Sequence, residues 1–371
     1  MTKAIAARRL SPTIVGTGLV ALDAVCYVGS TNPPRCFAGG TCGNVLSILG
    51  FMGWRAFAIS RLALGRPSEL LQQDLRRWKV ATKFVTATVD GSTPIIFHRI
   101  GQRASGEPFH SFSWRCPACG AHLPGYKPVL ATHAEALTES IPAAQVFFFD
   151  RVSRGALLLA KNSSDQGAVV AFEPSGVGDP ALFREAWSLA HVVKYSHERL
   201  RDIADINLVA SERQGVLLEI ETLGEDGLRY RSQLPHAKTG GWVRQSAFKV
   251  DHLKDAAGSG DWCTAAVLRK LARGGLNGLR RASGAAVVDA ISAGQAWAAW
   301  NCSYDGARGG MYEIGHIAAE AQVRQIMDSG EVATALDKHV APSQQWLSHL
   351  CPACKKTDLE IGSPRRKVKA G

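Results

Sequence analysis

The sequence predicts an α/β protein built on a mostly parallel sheet covered on both faces. Two observations carry that expectation. From residue 145 onward, short apolar runs such as Val146-Phe147-Phe148-Phe149 alternate with helix-length segments, the pattern of repeated strand–helix units. Of the 371 residues, 46% are apolar and 20% charged, which suits a chain with a large core.

The first strand is read over residues 13–16. A second apolar stretch follows Thr17-Gly18 and ends at Asp23. Residues 24–38, interrupted by Asn32-Pro33-Pro34, read as a short hairpin or flap. Gly39-Gly40-Thr41-Cys42-Gly43-Asn44 is a Gly-rich turn that opens an apolar helix over 45–52. A strand over 56–62 precedes a helix over 67–78, with apolar positions at Leu70, Leu71, Leu75 and Trp78. Residues 93–100 and 109–114 form a hairpin across a turn at 102–108, and it ends at a Cys pair.

The βα region then runs strand 146–149, helix 154–162, strand 169–172, helix 180–189, strand 191–195, helix 198–206 and strand 216–222. An Ala-rich helical region over 262–300 is broken at Gly274-Gly275. Ligands in open α/β sheets sit beyond the carboxyl ends of the strands. Asp23, Glu173 and Gly224-Glu225-Asp226-Gly227 fall at strand ends in this reading, so they are expected to converge on one site.

The formal net charge is +11, but Lys and Arg are scattered and cluster only in the tail from Pro364 to Lys369. Such a tail is a solvated segment rather than a nucleic-acid footprint, so no nucleic-acid partner is expected. No run of 18 apolar residues suggests a membrane span. Residues 1–13 are basic without a following apolar run, so no secretory signal is read and a cytoplasmic protein is expected.

The chemistry-bearing segment is Asp255-Ala256-Ala257-Gly258-Ser259-Gly260-Asp261, which enters an Ala-rich helix. A Gly-Ser-Gly turn at a helix start exposes backbone N–H groups, with the positive end of the helix dipole behind them. That is a cradle for a phosphoryl group. Asp261 in the first helical turn is placed to take a proton from an attacking hydroxyl, or merely to cap the helix. Asp23 beside a Gly-containing turn suits the chelation of a diol, or a plain turn.

In this order, the motifs resemble those of the PfkB (ribokinase-like) carbohydrate kinase family. The segment 255–261 is similar to its C-terminal signature. Gly39 to Asn44, with Gly53, is similar to its N-terminal signature, and Thr222-Leu223-Gly224-Glu225-Asp226-Gly227 to its nucleotide-side turn. The resemblance spans roughly residues 13–310. It implies a three-layer α/β/α fold with a small β lid, and an enzyme using ATP with Mg²⁺ to phosphorylate a hydroxyl of a sugar, sugar phosphate or nucleoside. It implies that Asp23, Gly39, Gly40 and Asn44 bind the acceptor. It further implies that Asp261 is the base and that the backbone of Ala257, Gly258, Ser259 and Gly260 holds phosphates. Thr222, Gly224, Gly227 and Asn301 would lie on the nucleotide side.

Residues 1–350 would form the kinase body, with lid segments at 24–38 and 92–130. Residues 351–371 would form a separate tail. Exposed lid hairpins invite pairing into a homodimer. The chain departs from the family pattern in three places. Ala256 replaces a common Thr, and Glu173-Pro174-Ser175 stands where Asp-Pro-Asn is common. Ser196-His197-Glu198-Arg199 occupies the Asn-x-x-Glu position that helps organise Mg²⁺. These departures support a rival reading, a non-catalytic kinase-like scaffold that holds nucleic acid or a partner through its Cys element and basic tail. The intact Gly258-Ser259-Gly260-Asp261 favours catalysis.

Four of the nine cysteines form two Cys-Pro-Ala-Cys knuckles, Cys116/Cys119 and Cys351/Cys354. Four thiolates suit one tetrahedral structural Zn²⁺, which would clamp the C-terminal tail to the lid. A redox Cys-x-x-Cys motif is the competing reading. Cys26, Cys36, Cys42, Cys263 and Cys302 read as buried thiols. His98, His110, His122 and His133 near the first knuckle receive no role. Arg99 and Arg103 face either an anionic acceptor group or solvent.

Overall fold

Ile14 and Val15 are neighbours in the chain but belong to different cores. Ile14 joins Val146 and Phe148 on one sheet face, and Val15 joins Phe147 and Phe149 on the other. Alternation along fully apolar strands therefore fills two cores at once, which is why these strands lack a polar face. The computed structural model describes residues 11–28, 34–102, 108–199, 215–332 and 350–354.

The chain begins with β1 (Thr13–Thr17), β2 (Ala21–Tyr27) and β3 (Arg35–Gly39), followed by α1 (Thr41–Phe51). Next come β4 (Arg55–Ala63), α2 (Arg66–Arg77), β5 (Val80–Thr88), β6 (Ile95–Gln102) and β7 (Pro108–Ser113). The βα region holds α3 (Ala131–Leu137), β8 (Val146–Phe149), α4 (Arg154–Asp165), β9 (Val169–Phe172), α5 (Pro180–Leu189), β10 (Val192–Ser196) and β11 (Leu218–Thr222). After a 3₁₀ turn at Gly224–Asp226 come β12 (Leu228–Ser232) and β13 (Val243–Gln245). Helices α6 (Ser259–Leu271), α7 (Gly275–Arg280), α8 (Gly284–Asn301), α9 (Gly309–Glu313) and α10 (His316–Ser329) complete the described chain.

The nine-stranded sheet has the order β13-β12-β11-β10-β9-β8-β1-β4-β5. Strands β5 to β11 in that sheet are parallel, and β12 and β13 run antiparallel at one edge. Helices α1, α6, α8 and α10 cover one face, and α3, α4 and α5 the other. A separate four-stranded lid has the order β3-β2-β6-β7, with β2 and β6 parallel. The strand order reverses at β1, where β4 and β8 flank it, so the site belongs above this switch point. No helix among the described residues is long and apolar enough to cross a membrane.

Several sequence expectations need correction. Asp23 does not end a strand; it is the third residue of lid strand β2, paired with Phe37 and Ile96. Helix α1 starts at Thr41 rather than at residue 45, because Gly40 at φ 74° turns the chain directly into it. Strands β5, β12 and β13 and helix α3 have no counterpart in the sequence reading. Most of the helix expected over 198–206, Arg103, and all of the basic tail lie outside the described residues. Of the single cysteines, Cys42, Cys263 and Cys302 are buried, while Cys26 and Cys36 are only partly so.

Candidate active site

The 255–261 segment folds around its first carboxylate. The backbone N–H groups of Ala257 and Gly306 each donate to Asp255 at 2.9 Å, one to each oxygen. This joins the phosphate-type loop to the loop after α8. Gly258 then turns the chain left-handed at φ 73°. A Cβ there would meet the Ala307 carbonyl oxygen at 2.2 Å, so only glycine fits. Trp262 Nε1 donates to that same carbonyl at 3.1 Å and stacks on Trp297 with ring centroids 5.1 Å apart. The start of α6 is thus held rigidly where the cradle needs it.

Asp261 lies in the first turn of α6 and is 9% exposed. Asn44 Nδ2, from α1, donates to Asp261 Oδ2 at 2.7 Å. Burial pushes the Asp261 carboxyl up to about 7; the nearby Glu173 charge adds to this, and the Asn44 hydrogen bond opposes it. A carboxyl poised there is matched to proton transfer near neutral pH. Asn44 Oδ1 is buried with no hydrogen-bond partner, so it is an acceptor for a hydroxyl.

Asp23 is 8% exposed, and burial pushes it up to about 7 against the pull of Arg308. Gly39 lies under it: a Cβ at residue 39 would come within 1.9 Å of Asp23 Oδ2. Gly18 plays the same role for Asp150, whose Oδ1 accepts from the Leu19 N–H at 2.8 Å. Burial pushes Asp150 up to about 6, with Arg151 beside it at 2.7 Å as counter-charge.

One cleft of about 790 Å³ is lined by Asp23, Gly40 and Asn44, by Ala257 to Asp261, and by Thr222, Gly224 and Asp226. Glu173, just after β9, pairs with Lys194 at 2.6 Å and accepts from Thr264 Oγ1 at 2.6 Å. Ser196, His197, Glu198 and Arg199 also reach the cleft wall. Three expected residues, Gly39, Gly227 and Asn301, do not line it. Asn301 is fully buried, and its amide donates to the carbonyls of Ala257 and Ala307 at 3.2 Å. It therefore braces the cradle from behind instead of facing a nucleotide. Gly227 sits in the turn behind Gly224 with φ 90°.

Two clusters converge on the lid. Cys116 Sγ lies 3.8 Å from Cys354 Sγ, and Cys119 Sγ 3.7 Å from Cys351 Sγ. The four sulfurs all lie within 4.8 Å of one another, so this cluster can hold a metal ion. Tetrahedral thiolates about 2.3 Å from zinc lie about 3.8 Å apart, which matches these separations. The second cluster was not legible in the sequence: His98 from β6 and His110 from β7 both approach Asp255. Only the pairing of β6 with β7, and the closing of the lid over the cradle, brings them there.

No family model matches the chain, and no curated protein matches it. Solved structures do. The aminoimidazole riboside kinase of Salmonella enterica, crystallised with aminoimidazole riboside and an ATP analogue, superposes with a TM-score of 0.59 at 18% identity. That match covers 84% of this chain and 99% of the other. A fructokinase from Xylella fastidiosa with bound ATP gives a TM-score of 0.63 at 16% identity, covering 86% of this chain and 99% of its own. A ribokinase from Arabidopsis thaliana, complexed with ribose and ATP, gives 0.58 at 14%, with the same coverage of 86% and 99%. The structural neighbours are thus sugar and nucleoside kinases, and the fold of this chain is ribokinase-like.

Proposed function

We propose that this chain is an ATP-dependent kinase that phosphorylates a hydroxyl of a sugar, sugar phosphate or nucleoside, with Asp261 as general base. One observation carries the reading: a buried carboxyl pushed up to about 7 stands directly beside a glycine-lined run of backbone amides at a helix start. Asp261 is not the cap of its helix: Gly258 holds the N-cap position, and the Asp261 carboxylate accepts instead from Asn44 of α1.

In this reading the acceptor hydroxyls bind between Asp23 and Asn44. The unpartnered Asn44 Oδ1 accepts one hydroxyl, and Asp23 bridges two others. Asn44 also holds Asp261 so that one carboxylate oxygen stays directed by its amide. Asp261 takes the proton as the acceptor oxygen attacks the terminal phosphate. The N–H groups of the 257–260 loop, backed by the α6 dipole, stabilise the charge that develops. Thr222 and Gly224 lie on the nucleotide side of the same cleft.

The acidic cleft wall fits Mg²⁺ carried in with the triphosphate. Glu198 and Asp226 are exposed carboxylates of that wall; Glu198 would hold the ion through water, and the ion would neutralise phosphate charge. Four thiolates at tetrahedral spacing favour a structural Zn²⁺ at Cys116, Cys119, Cys351 and Cys354, joining the segment after residue 350 to the lid. Within that scheme, residues 1–350 carry the chemistry. ADP release, measured with a panel of sugars, sugar phosphates and nucleosides, tests the proposal. Acceptor-dependent turnover is expected. Salt-sensitive nucleic-acid binding with no turnover on any acceptor would favour the scaffold reading instead.

A further inference from the structure

Apart from the four cysteines, one group of metal-ligating side chains stands out. His98 is 1% exposed, the Asp255 side chain is fully buried, and the His110 side chain is 31% exposed. His98 Nε2 lies 3.2 Å from Asp255 Oδ2, and His110 Nδ1 lies 3.0 Å from Asp255 Oδ1. We propose that His98, His110 and Asp255 hold a divalent transition-metal ion that fastens the lid to the phosphate-cradle loop.

The alternative is a simple ion-pair latch; His110, 3.0 Å from Asp255, could make one, but the His98 contact argues against it. His98 Nε2 is buried and makes no hydrogen bond, although a carboxylate oxygen lies within reach. A ring N–H donating to that oxygen would be aligned with it; a ring lone pair directed at a shared point would not be. Each Asp255 oxygen already accepts one backbone N–H, so each keeps a lone pair for a further partner. Those backbone bonds orient the carboxylate, as outer partners orient the ligands of metal sites.

The spacing fits as well. Ligand atoms about 2.1 Å from a metal lie about 3.0 Å apart at right angles and about 3.4 Å apart at the tetrahedral angle. The two nitrogen–oxygen distances, each to a different Asp255 oxygen, fall at or between those limits, so the carboxylate would ligate through both oxygens, and the candidate ligand atoms of the three residues lie within 4.8 Å of one another. Phe112 packs at a tilt against both rings, with centroids 4.6 Å from His98 and 5.5 Å from His110. Two imidazoles and one carboxylate suit zinc, cobalt or manganese far better than magnesium or calcium, which prefer all-oxygen shells. His110 lines the cleft together with Ala257 and Gly258, while His98 and Asp255 are buried. The site is independent of the kinase reading, because it rests on these three side chains alone.

The test is metal stoichiometry on the full-length protein, equilibrated with zinc and desalted, using elemental analysis. The wild type is expected to hold about two zinc ions per chain, one at each cluster. His110→Ala is expected to hold about one, and Cys351→Ser about one, with the ion lost from the other cluster. Cobalt substitution separates them. Cobalt retained by His110→Ala should keep the thiolate charge-transfer band, and cobalt retained by Cys351→Ser should lack it. Losing the ion should lower the melting temperature of His110→Ala as well, so a far-UV circular dichroism spectrum matching wild type, recorded below that temperature, is the control for folding. A wild type that holds a single ion with the thiolate band, or a His110→Ala protein that still binds two ions, would overturn the site.

Discussion

Asn44 and Asp261 are 217 positions apart in the chain, yet a 2.7 Å hydrogen bond joins them. It runs from the helix opened by the first Gly-rich turn to the helix opened by the second. The two glycine motifs therefore meet through one amide and one carboxylate, and the proton chemistry depends on that contact.

The first prediction is a pH profile. Burial raises Asp261 to about 7, and the base works only when ionised. kcat/KM is expected to rise with pH through about 7 and level off above it. Asn44 donates to the ionised form and so holds the pKa down. Asn44→Ala should shift the midpoint to higher pH by about one unit, the size of a charge-assisted hydrogen bond of about 1.5 kcal/mol. An Asn44→Ala midpoint unchanged or lower would separate this contact from the titration.

Gly39→Ala tests the acceptor end. The added methyl would displace the Asp23 carboxylate, whose oxygen lies 1.9 Å from its position. KM for the acceptor should rise at least about tenfold, the loss of roughly one hydrogen bond to a charged group. KM for ATP should change little. Equal changes in both constants would remove Asp23 from acceptor binding.

Lys194→Met tests the buried pair under the cleft. Glu173 would then be left as an uncompensated charge, and stability to urea should fall by about 3–5 kcal/mol. Adding Glu173→Leu should restore most of the loss. A double variant no more stable than the single one would show that the pair is not the source.

Cys351→Ser tests the knuckles. Loss of one zinc ion and a melting temperature lower by several degrees are expected, since metal binding to the folded state adds directly to stability. An unchanged melting curve with the metal gone would leave the cluster without a structural role.

The sequence made part of this legible. Gly258 and Gly40 show as Gly-rich motifs because the backbone conformations they permit are set locally, at φ 73° and 74°. The Cys pairs show because ligand spacing within each knuckle is local. The central strands show because both their faces are apolar. Asp23 was misplaced because a lid strand and a strand end share the same apolar run before a polar residue. The edge strand β5 escaped because its Thr-rich, half-buried residues lack the apolar run of the central strands. Nothing in the sequence joins His98 and His110 to Asp255: that contact exists only once β6 and β7 pair and the lid meets the cradle. Asn301 shows the converse. Its place in the motif order suggested a ligand contact, while its burial makes it a brace.

The most direct test of the central claim is single-turnover transfer of the terminal phosphate of ATP to an accepted hydroxyl by Asp261→Asn. The variant should fold and bind ATP as the wild type does, because the amide keeps the shape of the carboxyl. Its rate should fall by about 10²–10⁴, the usual size of a general-base contribution. A rate within a few-fold of wild type would contradict the assignment of Asp261 as the base.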